Sequence, residues 1–100
     1  MTITKTQEGN KLTITLDGRL DTTTSPELET EVRENLGDVK ELVFDLEKLE
    51  YISSAGLRVL LLAQKTMNKQ GEMKVKKANE SVMEIFDLTG FSDILTIEGA

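Results

Sequence analysis

Ser53 and Ser54 stand side by side, followed by Ala55, Gly56 and Arg58, and this is where the chain is best equipped to do chemistry. The run that begins here, through Leu57, Val59 and Leu60, has helical character. The first turn of a helix has unpaired N–H groups and the positive end of the helix dipole, so it tolerates an anion. A hydroxyl placed there can cap the helix, and it can accept a phosphate without unfolding it. N-capping alone would explain either serine. It explains the pair plus Ala55-Gly56 less well, because glycine in a helical turn costs up to about 1 kcal/mol against alanine. Such a glycine suits a place where something must approach the backbone closely. Ser54 and Arg58 are four residues apart and therefore neighbours on a helix surface. Arg58 is either a solvated side chain or a partner for a phosphate on Ser54.

Composition limits what these serines can be. The chain has 100 residues with no His and no Cys. That excludes a Ser-His-Asp triad, an imidazole base, thiolate nucleophiles and zinc-thiolate sites. Ser54 as a nucleophile would lack a visible base, so the chain is expected not to be an enzyme, with no catalytic residue, no cofactor and no metal. Asp17, Asp21, Asp45 and Asp87 are the acids nearest element ends, and no glycine-rich phosphate loop is present. A net charge of −6 disfavours nucleic acid. Lys74, Lys76 and Lys77 read as the solvent side of a strand end. The longest apolar run, Val59 to Ala63, is far short of the roughly 20 residues a membrane span needs. The N-terminus lacks the apolar stretch of a signal peptide, so no membrane partner and a cytoplasmic location are expected. A protein partner fits better, or a small ligand held by backbone groups.

The elements that must position the serines follow from periodicity. The expected fold class is α/β, a single domain over residues 1–100 with a mixed β-sheet and helices in the order β-β-α-β-α-β-α-β. Leu12, Ile14 and Leu16 alternate with polar residues as in a half-buried strand. Glu8-Gly9-Asn10 supplies a turn, and residues 2–7 form an edge strand before it. Gly18-Arg19-Leu20-Asp21 leaves the strand. Ser25 is expected to cap a helix with Pro26 at its first position and with the stripe Leu28, Val32, Leu36, closed by Gly37. Glu41 to Leu46 reads as a strand covered on both faces, with Phe44 in the core. A short loop then leads to a helix over residues 54–70, with Tyr51 also in the core. Met73 and Val75 mark the next strand. Asn79 caps a third helix carrying Val82, Ile85 and Phe86, with Gly90 past its end. Ile94, Leu95 and Ile97 suggest a last short strand.

At about 100° per residue, Leu57, Leu60, Leu61, Ala63 and Met67 share the core arc of the second helix. Val59 and Leu62 fall roughly opposite. They are either ordinary exposed apolar residues or an interface patch beside Ser54.

Ile52 to Leu60 resembles the signature of bacterial anti-sigma factor antagonists, the stand-alone STAS domains (sulphate transporter and anti-sigma factor antagonist). Gly18-Arg19-Leu20-Asp21 and Ile85-Phe86-Asp87-Leu88-Thr89-Gly90-Phe91 resemble two further recurrent stretches of that family, in the same order and at similar spacing. The resemblance implies a small α/β domain that binds rather than catalyses. The unphosphorylated form would bind an anti-sigma factor that is itself a serine kinase of the GHKL type, freeing a sigma factor. Phosphorylation of Ser54 would end that binding, and a PP2C-type phosphatase would reset it. The resemblance implies a partner surface at Asp21, Ser53, Ser54 and Gly56, to which helical geometry adds Arg58 and Leu62. Many relatives carry Asp where this chain has Ser53, which leaves Ser53 as a competing acceptor. The alternative function is a STAS scaffold or regulatory subunit of a larger signalling or transport complex.

Overall fold

The computed structural model of the chain describes residues 1–98. Strands β1 (Thr2–Glu8) and β2 (Lys11–Leu20) form an antiparallel hairpin. Helix α1 (Ser25–Asn35), strand β3 (Glu41–Ile52), helix α2 (Ser54–Asn68), strand β4 (Glu72–Lys76), helix α3 (Glu80–Thr89), a 3-10 turn (Phe91–Asp93) and strand β5 (Ile97–Glu98) follow. This is the element order the sequence implies. The five strands lie in the sheet in chain order, and β2 to β5 are parallel. Right-handed crossovers between successive parallel neighbours place all three helices over one face.

The strand register explains the core. Leu12, Leu42 and Met73 are side by side across β2, β3 and β4, as are Ile14, Phe44 and Val75. These six join Leu28 and Val32 of α1, Leu60 and Met67 of α2, and Val82 and Phe86 of α3 in a single cluster. The opposite sheet face carries Thr13, Val43 and Lys74 in one row and Thr15, Asp45 and Lys76 in the next. Val43 is buried among its row but is not part of the core cluster. The expectation that β3 is covered on both faces is thus corrected. Helices cover one side only, and threonines and charges clothe the other.

Several boundaries also differ from expectation. β3 does not end near Leu46 but continues to Ile52, and β2 continues to Leu20. Thr15 pairs with Asp45 while Asp17 pairs with Lys48, and Gly18 pairs with Leu49 while Arg19 pairs with Tyr51. β3 therefore carries one extra residue at each of two bulges. The inward residues Leu46, Leu49 and Ile52 recur every third position, a spacing that hides a strand. Tyr51 is not in the core; it is 37 % exposed. Ser25 does not cap α1. Thr24 holds the cap position, and the buried Ser25 donates its hydroxyl to the Asp21 carbonyl instead. Of the expected last strand only Ile97 remains, because the 3-10 turn leaves Ile94 exposed and Leu95 buried before it.

On α2 the arc is rotated from the expected one. Val59 is buried at 3 % exposure, and Leu61 is only half-buried. The helix packs against α1 as well as the sheet, so its buried surface is wider than a single stripe. Gly71 closes α2, and a Cβ there would lie 2.0 Å from the Lys40 carbonyl oxygen.

Candidate functional site

Strands β2 and β3 end together, and the site forms at their carboxyl ends, where ligands and partners of open α/β sheets are usually met. The Ser53 N–H donates to the Leu20 carbonyl at 2.9 Å, which ties the start of α2 to the end of β2. No loop separates β3 from α2 beyond Ser53 itself. Its backbone is extended, its carbonyl accepts from Leu57 N–H at 2.9 Å, and its hydroxyl accepts from Gly56 N–H at 3.4 Å. Ser53 is therefore the N-cap. Ser54 is the first helical residue, exposed, and its hydroxyl has no hydrogen bond among the described residues.

Gly56 is buried under the strand ends. A Cβ there would stand 2.7 Å from Leu20 Cγ and 2.9 Å from Ile52 Cγ1. What approaches this glycine closely is the molecule's own core, so Gly56 sets how tightly α2 sits on β2 and β3 and presents no side chain to a partner.

Asp21 opens the loop into α1. Its Oδ1 accepts from the N–H groups of Thr23 and Thr24, at 3.0 and 3.1 Å, and from the hydroxyls of both, at 2.8 and 3.2 Å. These bonds, led by the Thr23 hydroxyl and the Thr24 N–H, hold its carboxyl below the usual carboxylate pKa. The single proton of the Thr24 hydroxyl is shared with the Arg19 carbonyl, the nearer acceptor at 2.8 Å. The loop is thereby fixed, and of its hydroxyls only that of Thr22 has no partner among the described residues. Thr22, Ala55 and Arg58 line a cavity of about 210 Å3 between the starts of α1 and α2, together with Pro26, Glu29 and Val59. Arg58 is exposed and makes no ion pair among the described residues, whereas Glu29 is engaged by Arg33 at 2.9 Å.

Leu62 is eight residues after Ser54, on the same helical stripe as Arg58. It is half-buried rather than free. It lines a second cavity of about 280 Å3 with Val32 and Arg33 of α1, Leu36 just past its end, and Thr66 and Gln70 of α2 and its end. The geometry brings Ser53, Ser54, Asp21 and Arg58 to one end of the molecule, and it sets Leu62 further down the seam between the two helices.

The family model of the STAS domain matches residues 2–99. The chain is a STAS domain. BtrV of Bordetella bronchiseptica is 33 % identical over 99 residues, covering 97 % of this chain and 85 % of BtrV. An anti-sigma-B factor antagonist of Bacillus subtilis is 28 % identical over 92 residues, covering 91 % of this chain and 84 % of its own. Among solved structures, an anti-sigma factor antagonist from Mycobacterium paratuberculosis superposes with a TM-score of 0.87 at 23 % identity, covering 96 % of this chain and 83 % of that one. The unphosphorylated and phosphorylated forms of SpoIIAA, the latter described as a Bacillus cell fate determinant, each give 0.78 at 16 % identity. Both cover 99 % of this chain, against 89 and 91 % of theirs. The family expected from the three motifs is the family found, and its relatives are anti-sigma factor antagonists.

In this STAS domain two features escape a sequence reading. The Arg19 guanidinium lies over the Tyr51 ring, 4.5 Å from its centroid, on the sheet face away from the helices. The two bulges together bring these residues into register, so no spacing in the chain announces the contact. Thr22 is the other. It is one of three consecutive threonines, and hydrogen bonding alone separates it from Thr23 and Thr24.

Proposed function

We propose that this STAS domain is a phosphorylation-regulated anti-sigma factor antagonist whose switch is Ser54. The unphosphorylated protein binds an anti-sigma factor that is also a serine kinase of the GHKL type, and so frees a sigma factor. The kinase transfers the γ-phosphoryl group of ATP to the Ser54 hydroxyl, and ADP and a proton leave. A PP2C-type phosphatase hydrolyses the ester and restores binding. The domain itself catalyses nothing and works in the cytoplasm.

The observation that carries this reading is the division of labour between the two serines. Ser53 spends its hydroxyl on capping α2, whereas Ser54 is exposed and unengaged. A phosphate on Ser54 carries about −1.5 to −2 charges and meets the positive end of the α2 dipole, with Arg58 one turn away. A partner packed over the same helix start would have to bury that charge, at a cost of several kcal/mol. Each 1.4 kcal/mol is tenfold in affinity, so binding falls by orders of magnitude. Incubation with the cognate kinase and ATP, followed by phosphosite mass spectrometry and affinity measurement, tests this. Modification of Ser54 with loss of binding is expected. Modification at Ser53 alone, or undiminished binding, overturns it.

A further inference from the structure

Charge is unevenly spread along the chain. All 12 Lys and Arg residues lie at or before Lys77. From Ala78 onward there are five acids and no cation, so this stretch carries −5 of the net charge of −6. Three of the five, Glu84, Asp87 and Asp93, are exposed on α3 and in the 3-10 turn after it. None of the three makes an ion pair among the described residues. The acids of α1 differ, since Glu29 is engaged by Arg33 and Glu31 by Lys5.

The same part of the molecule leaves apolar surface in water. Of the three large hydrophobic side chains exposed among the described residues, Tyr51 lies under Arg19, and the other two are here. Leu88 is 79 % exposed, and Ile94, directly after the 3-10 turn, is 46 % exposed. The turn packs against α3, and the Ser92 hydroxyl donates to the Asp87 carboxylate across the corner, so the two side chains share one end of the molecule. Leu88 is four residues after Glu84 and hence its neighbour on the helix surface. A single exposed leucine is ordinary, but a leucine and an isoleucine among acids without cations make an apolar anchor point inside a negative field.

We propose that this corner is a second docking surface, and that its occupant is a basic segment of a partner protein in which an apolar side chain is flanked by lysine or arginine. Leu88 and Ile94 supply the burial, while the acids select a cationic rim and speed the encounter. A nucleic acid or an anionic lipid surface is repelled by the same charge. A second copy of the chain fits less well. Its basic cluster, Lys74, Lys76 and Lys77, is on β4 and the turn after it, so the contact would be head-to-tail and would give rings or fibres rather than a closed dimer. α3 begins beyond the carboxyl end of β4, as α2 does beyond that of β3. Leu88 is eight residues further on, about 12 Å along the axis, so the corner lies away from the helix start that carries Ser54. Its occupation is independent of how Ser54 is used.

The probe is a synthetic peptide of leucines flanked on both sides by lysines, titrated into the 15N-labelled full chain, with its glutamate analogue as the control. Saturable shifts at the Leu88 and Ile94 amides are expected, with the Ser54 amide unmoved and no response to the analogue. Raising the salt to about 1 M, where the screening length falls to about 3 Å, should weaken binding at least about tenfold. Leu88→Ser changes an exposed position and should weaken binding by a similar factor while folding normally. Should that variant unfold, Glu84→Gln is expected to weaken the same binding and its salt dependence. Absent shifts, shifts centred on α1 or on Ser54, an equal response to the analogue, or equal affinity in the variants would overturn the proposal. So would sedimentation showing that the chain alone self-associates and that Leu88→Ser abolishes this, since the corner would then serve a second copy.

Discussion

Four donors converge on one oxygen of Asp21, and that convergence fixes the loop from which α1 departs. Its pKa is lowered on folding, so its contribution to stability is full above the unfolded carboxylate pKa, near 3.9, and is lost as pH falls through the lower folded value. Asp21→Asn should lower the melting temperature at pH 7 and flatten the acid limb of the stability curve, as measured by thermal melts from pH 7 to pH 2. An unchanged acid limb would show that another carboxylate dominates. Gly56 gives a sharper case. Gly56→Ala forces Leu20 and Ile52 aside and should cost about 1–3 kcal/mol, a loss of at least about 4 °C in melting temperature. At this scale the sequence was informative about identity and less so about role. Gly56 stood out as a place of close approach, but nothing in the chain distinguishes an approaching partner from the protein's own core. Asp21 was legible as an acid near an element end, whereas its four donors depend on how the next three residues turn.

Between elements, the seam of α1 and α2 is lined by Arg58 near its start and by Leu62 further down. Leu62 fills part of that seam while keeping some exposure, so Leu62→Lys should cost no more than about 1 kcal/mol of stability, because the lysine stem can follow the same path and leave its charge in water. Its effect on partner affinity should be larger, and comparing chemical denaturation with binding separates the two. A variant that binds normally would place the partner surface nearer Ser54 alone. The turn after β4 has a different character: Lys77 adopts φ 60°, a left-handed conformation that costs a side chain about 1–2 kcal/mol. Lys77→Gly should raise stability, by less than about 1 kcal/mol, since glycine loses more chain entropy on folding and the ion pair to Glu47 at 3.7 Å is removed. A measurable loss would show that the ion pair outweighs the backbone strain. Elements with regular periodicity were legible: the hairpin, α2 and the Asn79-capped α3 lie where expected. β3 was half lost because bulges break the two-residue alternation. The arc of α2 was misjudged because a wheel drawn for one covered face cannot anticipate a second helix beside it.

For the molecule as a whole, phosphorylation is expected to change the surface and leave the fold alone. Ser54 makes no hydrogen bond that a phosphate would break, and the local charges favour an anion. The melting temperature of the phosphorylated protein should stay within a few degrees of the unmodified one, while partner affinity falls at least a hundredfold. A large drop in melting temperature would mean that the switch works by unfolding the site. The fold class was readable at this scale because helix and strand signals alternate along the chain. Which sheet face stays bare was not, since the threonines of the open side look like any strand's polar half. The order of the strands carries one more consequence. Each strand after β1 pairs with the one made just before it, so a polypeptide emerging from the ribosome always finds its next docking edge already in place, with only the newest edge open. At about 5–20 residues per second, the hairpin is complete seconds before β4 appears, and assembly can follow synthesis from one edge of the sheet to the other.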